Sequence, residues 1–144
     1  MSVSRGIGAM PLHPVHAILL TFPVALFCTG LISDLAYLKT AGVQWTNFSS
    51  WLIAGGCLFG GLVLAWAVVA AVFPGRTTRP RALAYLAAVM VMWIAGLINA
   101  FHHSHDGWSS VGTAGVILSV ISMLAALMAA GIGYSSQGAR GIVR

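Results

Sequence analysis

Charged residues are scarce in this 144-residue chain, which has seven lysines and arginines and two acidic residues. They make up 6% of the sequence, whereas a soluble globular domain carries about a quarter. So few charges cannot build a water-facing shell around a soluble core of this size. Because 59% of the residues are hydrophobic, the composition predicts an integral membrane protein with a single domain, residues 1–144.

The shortage of other residue types excludes several further classes of protein. The two cysteines, Cys28 and Cys57, lie within apolar runs and are too few for a disulfide framework. The basic residues are few and scattered, so the net charge of +5 indicates membrane orientation and not nucleic-acid binding. The chain also lacks a nucleophile elbow, a phosphate-binding glycine loop and paired catalytic carboxylates. We therefore expect a protein that is not catalytic by itself.

Four apolar runs, separated by polar or basic segments, are long enough to cross a lipid bilayer. They predict an all-α, integral membrane four-helix bundle with transmembrane helices at about residues 14–38, 51–73, 82–103 and 109–134. Residues 39–50 are expected to form a polar loop between the first two helices.

Arginine and lysine are distributed unequally between the two sides that this topology creates. With four crossings, the two termini and the loop at 74–81 lie on one side, and the opposite side carries only Lys39. The first side carries six arginines: Arg5, Arg76, Arg79, Arg81, Arg140 and Arg144. The positive-inside rule then places both termini in the cytoplasm.

Small residues recur four apart in two of the predicted helices. Gly56 and Gly60 form such a pair in the second helix, and Ala126 and Ala130 form another in the fourth. In lipid, this spacing lets helices approach closely. We therefore expect an oligomer that forms through one of these faces.

Two histidines, His13 and His16, open the first apolar run, which contains no charged residue before Asp34. Their spacing of three places both on one face of a helix. Asp34 follows His16 by five helical turns, so it shares that face. One interpretation is that an imidazole here is an axial ligand to haem b. The other is an interfacial pair in which His16 bonds to a neighbouring helix.

A second polar group lies at the end of the third apolar run, on the same side of the membrane as Asp34. Its members are Asn99, His102, His103, His105 and Asp106. Histidine and carboxylate ligands suit a divalent metal such as zinc or copper, a single histidine could hold a haem, and a hydrated helix end needs no cofactor. This group and the first histidine pair lie at opposite membrane faces, so they cannot ligate one iron within one chain.

The opening motif Leu12-His13-Pro14-Val15-His16 is followed by Thr21-Phe22-Pro23-Val24-Ala25-Leu26. Two further stretches are His105-Asp106-Gly107-Trp108 and the exit Gly131-Ile132-Gly133-Tyr134. With these stretches the sequence resembles the domain-of-unknown-function 2231 family of small bacterial membrane proteins. The family pattern often has a histidine at the start of the third helix, where this chain reads Arg81-Ala82-Leu83-Ala84-Tyr85. That difference argues against a haem held by two histidines of this chain.

The resemblance implies a bacterial inner-membrane protein, and members often occur beside or fused to redox modules. The leading functional hypothesis is therefore a non-catalytic electron-transfer subunit of a membrane oxidoreductase. It would be a b-type cytochrome-like or quinone-contacting anchor for a periplasmic dehydrogenase. One alternative is a structural membrane anchor or assembly partner without a cofactor. Another is a histidine-rich metal-binding protein at the outer face.

Overall fold

The computed structural model describes residues 13–73, 79–104 and 111–138 of the chain. These residues form four α-helices: α1 (Pro14–Thr40), α2 (Val43–Val72), α3 (Arg79–His103) and α4 (Thr113–Gly138). Each helix is long and apolar enough to cross a membrane. The predicted all-α, four-helix membrane architecture is confirmed, and the chain is a multi-pass membrane protein.

One face of each helix is buried, and its residues recur at alternating spacings of three and four. In α1 the buried positions include His16, Leu20, Pro23, Phe27, Gly30 and Asp34. In α2 they are Thr46, Ser49, Ile53, Gly56, Gly60, Val63 and Ala67. A repeat of this kind is typical of helices that pack nearly parallel to one another in a bundle.

The four helices form a closed ring in which α1 packs against α2 and α4, and α3 also packs against both. Side-chain contacts define two ends of this ring, and consecutive helices run in opposite directions between them. We call the first the His16 end, where His16 of α1 meets Trp66 of α2 and Tyr85 of α3. We call the second the Asp34 end, where Asp34 of α1 meets Ser49 of α2 and His103 of α3.

The middle of the bundle packs around the Phe27 ring, which is 1% exposed. A Cβ atom added at Gly96 of α3 would lie 2.6 Å from this ring, and one added at Gly56 of α2 would lie 2.9 Å from it. Neither position has room for a side chain unless the ring moves. The two glycines therefore let α2 and α3 close onto α1.

The small-residue pairs that we expected to serve oligomerisation are used inside the chain. Gly56 and Gly60 are both buried, and a Cβ atom at Gly60 would lie 3.2 Å from the Met92 side chain. Ala126 is fully buried in the core cluster, and Ala130 packs against that cluster. Since packing within the chain already covers these faces, they are not surfaces for a second subunit in this structure.

Residues 39–50 do not form the polar loop that we expected, because α2 begins at Val43. The connection between α1 and α2 is short, and Ala41 ends α1 in the left-handed conformation with φ 52°. The polar residues Thr46 and Ser49 are 4% and 0% exposed. They lie on the inward face of α2, so their polarity reflects what they meet across the bundle and not exposure to water.

Candidate functional site

Five polar residues meet at the Asp34 end, and we call this group the Asp34 network. Each helix contributes to it: Asp34 comes from α1, Ser49 from α2, Asn99 and His103 from α3, and Ser119 from α4. His103 is 6% exposed, Ser119 is 2% exposed, and the other three residues are 0% exposed. Polar residues of four different helices are therefore buried together.

The Asp34 carboxyl group is the acceptor at the centre of this network. The Ser49 hydroxyl donates to Oδ1 at 2.5 Å, and the Ser119 hydroxyl donates to Oδ2 at 2.5 Å. His103 Nε2 lies 2.9 Å from Oδ1. Each carboxyl oxygen thus has at least one hydrogen-bond partner on another helix, which is what a buried carboxyl group requires.

A second layer of hydrogen bonds surrounds the carboxyl group. Asn99 Nδ2 donates to Ser119 Oγ at 2.7 Å, so Ser119 accepts from α3 and donates to α1. His103 Nδ1 lies 3.0 Å from the backbone carbonyl oxygen of Asn99, one turn earlier in the same helix. Asn99 Oδ1 is buried and has no hydrogen-bond partner among the described residues.

The structure does not assemble the predicted metal site from the residues it describes. Both ring nitrogens of His103 already have hydrogen-bond partners, and its neighbour His102 is only half-buried. His105 and Asp106 lie outside the described residues. Within the three described ranges, no group of three or more histidine, cysteine, aspartate or glutamate side chains could hold a metal ion.

The His16 end is built mainly from aromatic rings. His16 is 2% exposed, and its Nε2 lies 2.8 Å from the Tyr85 hydroxyl oxygen. Its ring stacks on Trp66 at a centroid distance of 5.2 Å, and the exposed His13 lies against the same indole at 5.5 Å. His16 Nδ1 is buried, and no residue in the described part of the chain pairs with it. The two histidines therefore share a neighbour but differ in burial.

The geometry of the His16 end does not fit a haem held through His16 Nε2. That nitrogen is already paired with the Tyr85 hydroxyl group, and the imidazole lies between the Trp66 and Tyr85 rings. A macrocycle on this nitrogen would have to displace the Tyr85 side chain. The interpretation of His16 as a residue bonded to a neighbouring helix describes the observed contacts.

Further hydrogen bonds tie the His16 end to α4. The Tyr134 hydroxyl donates to the backbone carbonyl oxygen of Ala17 at 2.7 Å. Arg81 Nη2 donates to the carbonyl oxygen of Ile132 at 2.8 Å and to Ser135 Oγ at 2.6 Å. These bonds link α4 to α1 through the Tyr134 side chain, and they link α4 to α3 through the α4 backbone and the Ser135 hydroxyl.

An apolar layer separates the two polar ends. It is formed by fully or almost fully buried side chains: Leu20, Phe27, Ile53, Val63, Val89 and Met92. They belong to one core cluster with the alanines of α4. In this layer the Trp93 indole N–H of α3 donates to the Cys57 carbonyl oxygen of α2 at 3.0 Å, whereas the hydrogen bonds between side chains described above lie at the two ends.

Sequence reasoning selected Asp34, Asn99, His103 and His16 but missed their partners. The structure adds Ser49 and Ser119 at the Asp34 end and Tyr85 at the His16 end. The signal that was missed is the repeat of buried positions at spacings of three and four, in which Ser49 comes before Ile53 and Gly56 on the same face of α2. Extending that face towards the start of α2 would have placed Ser49 inside the bundle.

Comparison with protein families gives one match for this chain. A family model described as "Predicted membrane protein (DUF2231)" matches residues 12–140. The chain belongs to this family. No curated protein and no solved structure matches it. The family assignment agrees with the four membrane-spanning helices, and it names no ligand, reaction or partner.

Proposed function

We propose that this protein is a non-catalytic membrane subunit that acts as a structural anchor or assembly partner without a cofactor. The observation that supports this role is the Asp34 network, in which the carboxyl group of Asp34 and both ring nitrogens of His103 are engaged within the bundle. Side chains used in this way hold helices together and are not free to bind a ligand.

The network also explains why such residues occur within membrane helices. A buried carboxyl group in lipid is costly unless donors surround it. Its donors come from α2, α3 and α4, so all four helices must keep their register for Asp34 to be satisfied. The bundle is therefore a rigid scaffold that presents a constant outer surface to lipid or to the helices of a partner.

That outer surface is strongly apolar. The residues on it include Trp51, Phe101 and Met128, which are 74%, 64% and 60% exposed. In a membrane these side chains contact lipid tails or another membrane protein. An anchor role uses this surface and requires no chemistry from the interior.

The second candidate is an electron-transfer subunit that contacts a quinone or a haem and serves a periplasmic dehydrogenase. The observation that favours it is the buried Nδ1 atom of His16, which none of the described side chains pairs with and which lies beside the Trp66 ring. A ligand at this end would use that nitrogen, since Nε2 is paired with Tyr85.

An absorption spectrum of the purified protein in detergent, combined with elemental analysis, tests the cofactor question. The anchor proposal predicts full helicity with no Soret band and no stoichiometric metal. A Soret band that disappears in His16→Phe but persists in Tyr85→Phe would establish the electron-transfer alternative. The Tyr85 variant is the matched control because it removes the partner of His16 and keeps the imidazole.

Partner retention in native membranes tests the anchor role directly. Photoreactive side chains introduced at the lipid-facing positions Trp51 and Ile98 identify neighbouring proteins. The gene that encodes the present protein is then deleted from the cell. In the deletion strain, an anchored partner should be lost from the membrane fraction. Expression of either the wild type or the His16→Phe variant should restore the partner to that fraction. A partner that stays in the membrane in the deletion strain would refute the anchor proposal.

The outer-face metal hypothesis is tested by titration with zinc or copper. His102 is not a member of the Asp34 network, so His102→Ala separates metal binding from folding, and His105→Ala removes a further histidine of the predicted group. Stoichiometric binding by the wild type that either variant abolishes would support a metal site at this face. Equally weak binding by the wild type and both variants would exclude a specific metal site at this face.

A further inference from the structure

The His16 imidazole has a hydrogen-bond partner at only one of its two ring nitrogens. Its Nε2 lies 2.8 Å from the Tyr85 hydroxyl oxygen, whereas no group in the described part of the chain pairs with Nδ1. The residue is 2% exposed. A buried polar atom of this kind destabilises a fold unless a further molecule satisfies it. The nature of that molecule follows from whether Nδ1 donates or accepts.

The Tyr85 hydroxyl group decides which nitrogen of the neutral imidazole carries the hydrogen. If that hydroxyl donates to Nε2, the hydrogen lies on Nδ1, and the Nδ1–H group alone lacks a partner. If Nε2 donates to Tyr85 instead, the phenol hydrogen also has no acceptor among the described residues, and two groups are unsatisfied. The first arrangement leaves fewer polar groups without a partner, so Nδ1 is a hydrogen-bond donor.

A donor at Nδ1 selects the chemistry of the ligand. A metal ion binds a nitrogen through its lone pair, and Nδ1 with a hydrogen has none, while the Nε2 lone pair accepts from Tyr85. Neither ring nitrogen of His16 therefore fits as a ligand to haem iron. The rings against the imidazole are those of Trp66 and Tyr85. A neutral acceptor such as a carbonyl oxygen satisfies the donor without placing a charge among these rings.

The length of α2 places this donor near the boundary between lipid head groups and hydrocarbon. The helix has 30 residues, so it spans about 45 Å, whereas the hydrocarbon core of a bilayer is about 30 Å thick. Its ends therefore extend into the head-group region. Trp66, on which His16 stacks, lies less than two turns before the end of α2 at Val72. Tryptophan is enriched at this depth, where the ester carbonyl groups of phospholipids also lie.

The neighbours of His16 on this side are surface residues. The Trp66 side chain is 39% exposed, and the exposed His13 lies on the same indole. Val15, which precedes His16 in α1, is 50% exposed. A molecule in the surrounding lipid is therefore separated from the imidazole by a single layer of side chains.

We propose that His16 Nδ1 donates a hydrogen bond to the neutral carbonyl oxygen of a lipid-soluble molecule, so that the His16 end is a carbonyl-binding site at the membrane boundary. A phospholipid ester and a quinone head group both present such an oxygen. The site goes beyond the anchor role, which uses the outer surface and does not require it. Occupation by a quinone would also supply the ligand of the electron-transfer alternative.

Solid-state NMR of the full-length protein in lipid bilayers tests the proposal and distinguishes the two sources. Histidine is labelled with ¹⁵N, and the phospholipid carries ¹³C at its ester carbonyl groups. A second sample uses ether-linked phospholipid, which has no carbonyl group, together with a short-chain benzoquinone labelled with ¹³C at its carbonyl groups. We expect a protonated His16 Nδ1 with a through-space correlation to the ester carbon, to the quinone carbon, or to each in its own sample.

A correlation in either sample supports the site and identifies its source. A His16 Nδ1 without hydrogen, or no correlation in both samples, would overturn the proposal. His103 is the internal control, because both of its ring nitrogens have hydrogen-bond partners within the bundle. It should show no correlation to either labelled carbon.

The His16→Phe variant assigns the signal and separates this site from the anchor role. The correlation should disappear in the variant, while the variant still restores an anchored partner to the membrane fraction. A correlation that persists in His16→Phe would show that another histidine makes the contact, and it would overturn the assignment to His16. Failure of the carbonyl site leaves partner retention unchanged, so the two proposals fail by different measurements.

Discussion

The two ends of the bundle each bury a histidine, and they use it in different ways. At the Asp34 end, His103 contacts a carboxyl oxygen of another helix and a carbonyl oxygen of its own helix. At the His16 end, His16 contacts one hydroxyl group and two aromatic rings, and its Nδ1 has no hydrogen-bond partner among the described residues. The first end is organised by hydrogen bonds among four helices, and the second combines ring stacking around His16 with hydrogen bonds of Tyr134 and Arg81.

This difference shows that burial alone does not reveal the role of a membrane histidine. His16 and His103 are both buried on inward faces, at opposite ends of the same bundle. What separates them is the partner, since an acidic group lies beside His103 and a phenol beside His16. The following substitutions test this comparison, from the largest expected effect to the smallest.

Removal of the carboxyl group should have the largest effect on stability. Asp34→Ala leaves His103 Nε2 and two serine hydroxyls without their hydrogen-bond partner, and each buried polar group left unsatisfied costs about 1–3 kcal/mol. The free energy of unfolding in mixed micelles measures this loss. His16→Ala is the comparison at the other end, and the contrast between the two ends fails if it destabilises the protein as much as Asp34→Ala does.

A methyl group at Gly96 should disturb the apolar layer that separates the ends. Its Cβ would lie 2.6 Å from the Phe27 ring, and overpacking of a core costs about 1–3 kcal/mol. The unfolding free energy should fall in Gly96→Ala and recover in part when Phe27→Leu is added. Gly131→Ala is the matched control, because no atom of the described residues lies within 4 Å of a Cβ atom there. An equal loss in the control would show that helix backbone effects dominate.

The Ser119 hydroxyl should matter more than another buried serine on the same helix. Ser119→Ala leaves Asn99 Nδ2 without an acceptor and Asp34 Oδ2 without its donor, and such unsatisfied groups cost about 1–3 kcal/mol. Ser122 is equally buried but donates to the Leu118 carbonyl oxygen of its own helix. We expect Ser122→Ala to be nearly neutral in the same unfolding assay. Equal effects would mean that the network does not join α4 to the bundle.

The Tyr85 hydroxyl should have the smallest effect of the four. Tyr85→Phe keeps the ring against His16 and removes one hydrogen bond, which contributes about 1 kcal/mol. Thermal unfolding of the purified protein measures the difference. A loss as large as that of Asp34→Ala would show that the His16 end also depends on a hydrogen-bond network.

Much of the architecture could be predicted from the sequence because its causes are local. Long apolar runs with few charges require lipid and form helices there, since every backbone group must be satisfied internally. The boundary before α2 could not be predicted in the same way. Thr46 and Ser49 look like loop residues by composition, but both are buried on the inward face of α2, where Ser49 donates to Asp34 across the helix pair.

In the candidate site, too, some features could be predicted from the sequence and others could not. Asp34, Asn99 and His103 are conspicuous in an apolar sequence, so their scarcity was enough to select them. Their grouping with His102, His105 and Asp106 was a prediction from proximity along the chain. The structure separates His103 from His102, because adjacent residues of a helix point in different directions and only His103 faces the bundle.

The sequence by itself determined that this is a membrane protein, that it spans the membrane with four helices, and that its few polar residues lie near the helix ends. Composition and hydrophobic length are sufficient for those conclusions, because lipid excludes unpaired polar groups. Only the tertiary structure decided what the polar residues do. Asp34 and His103 are 69 residues apart in the chain, so their pairing arises from the order and register in which four helices pack.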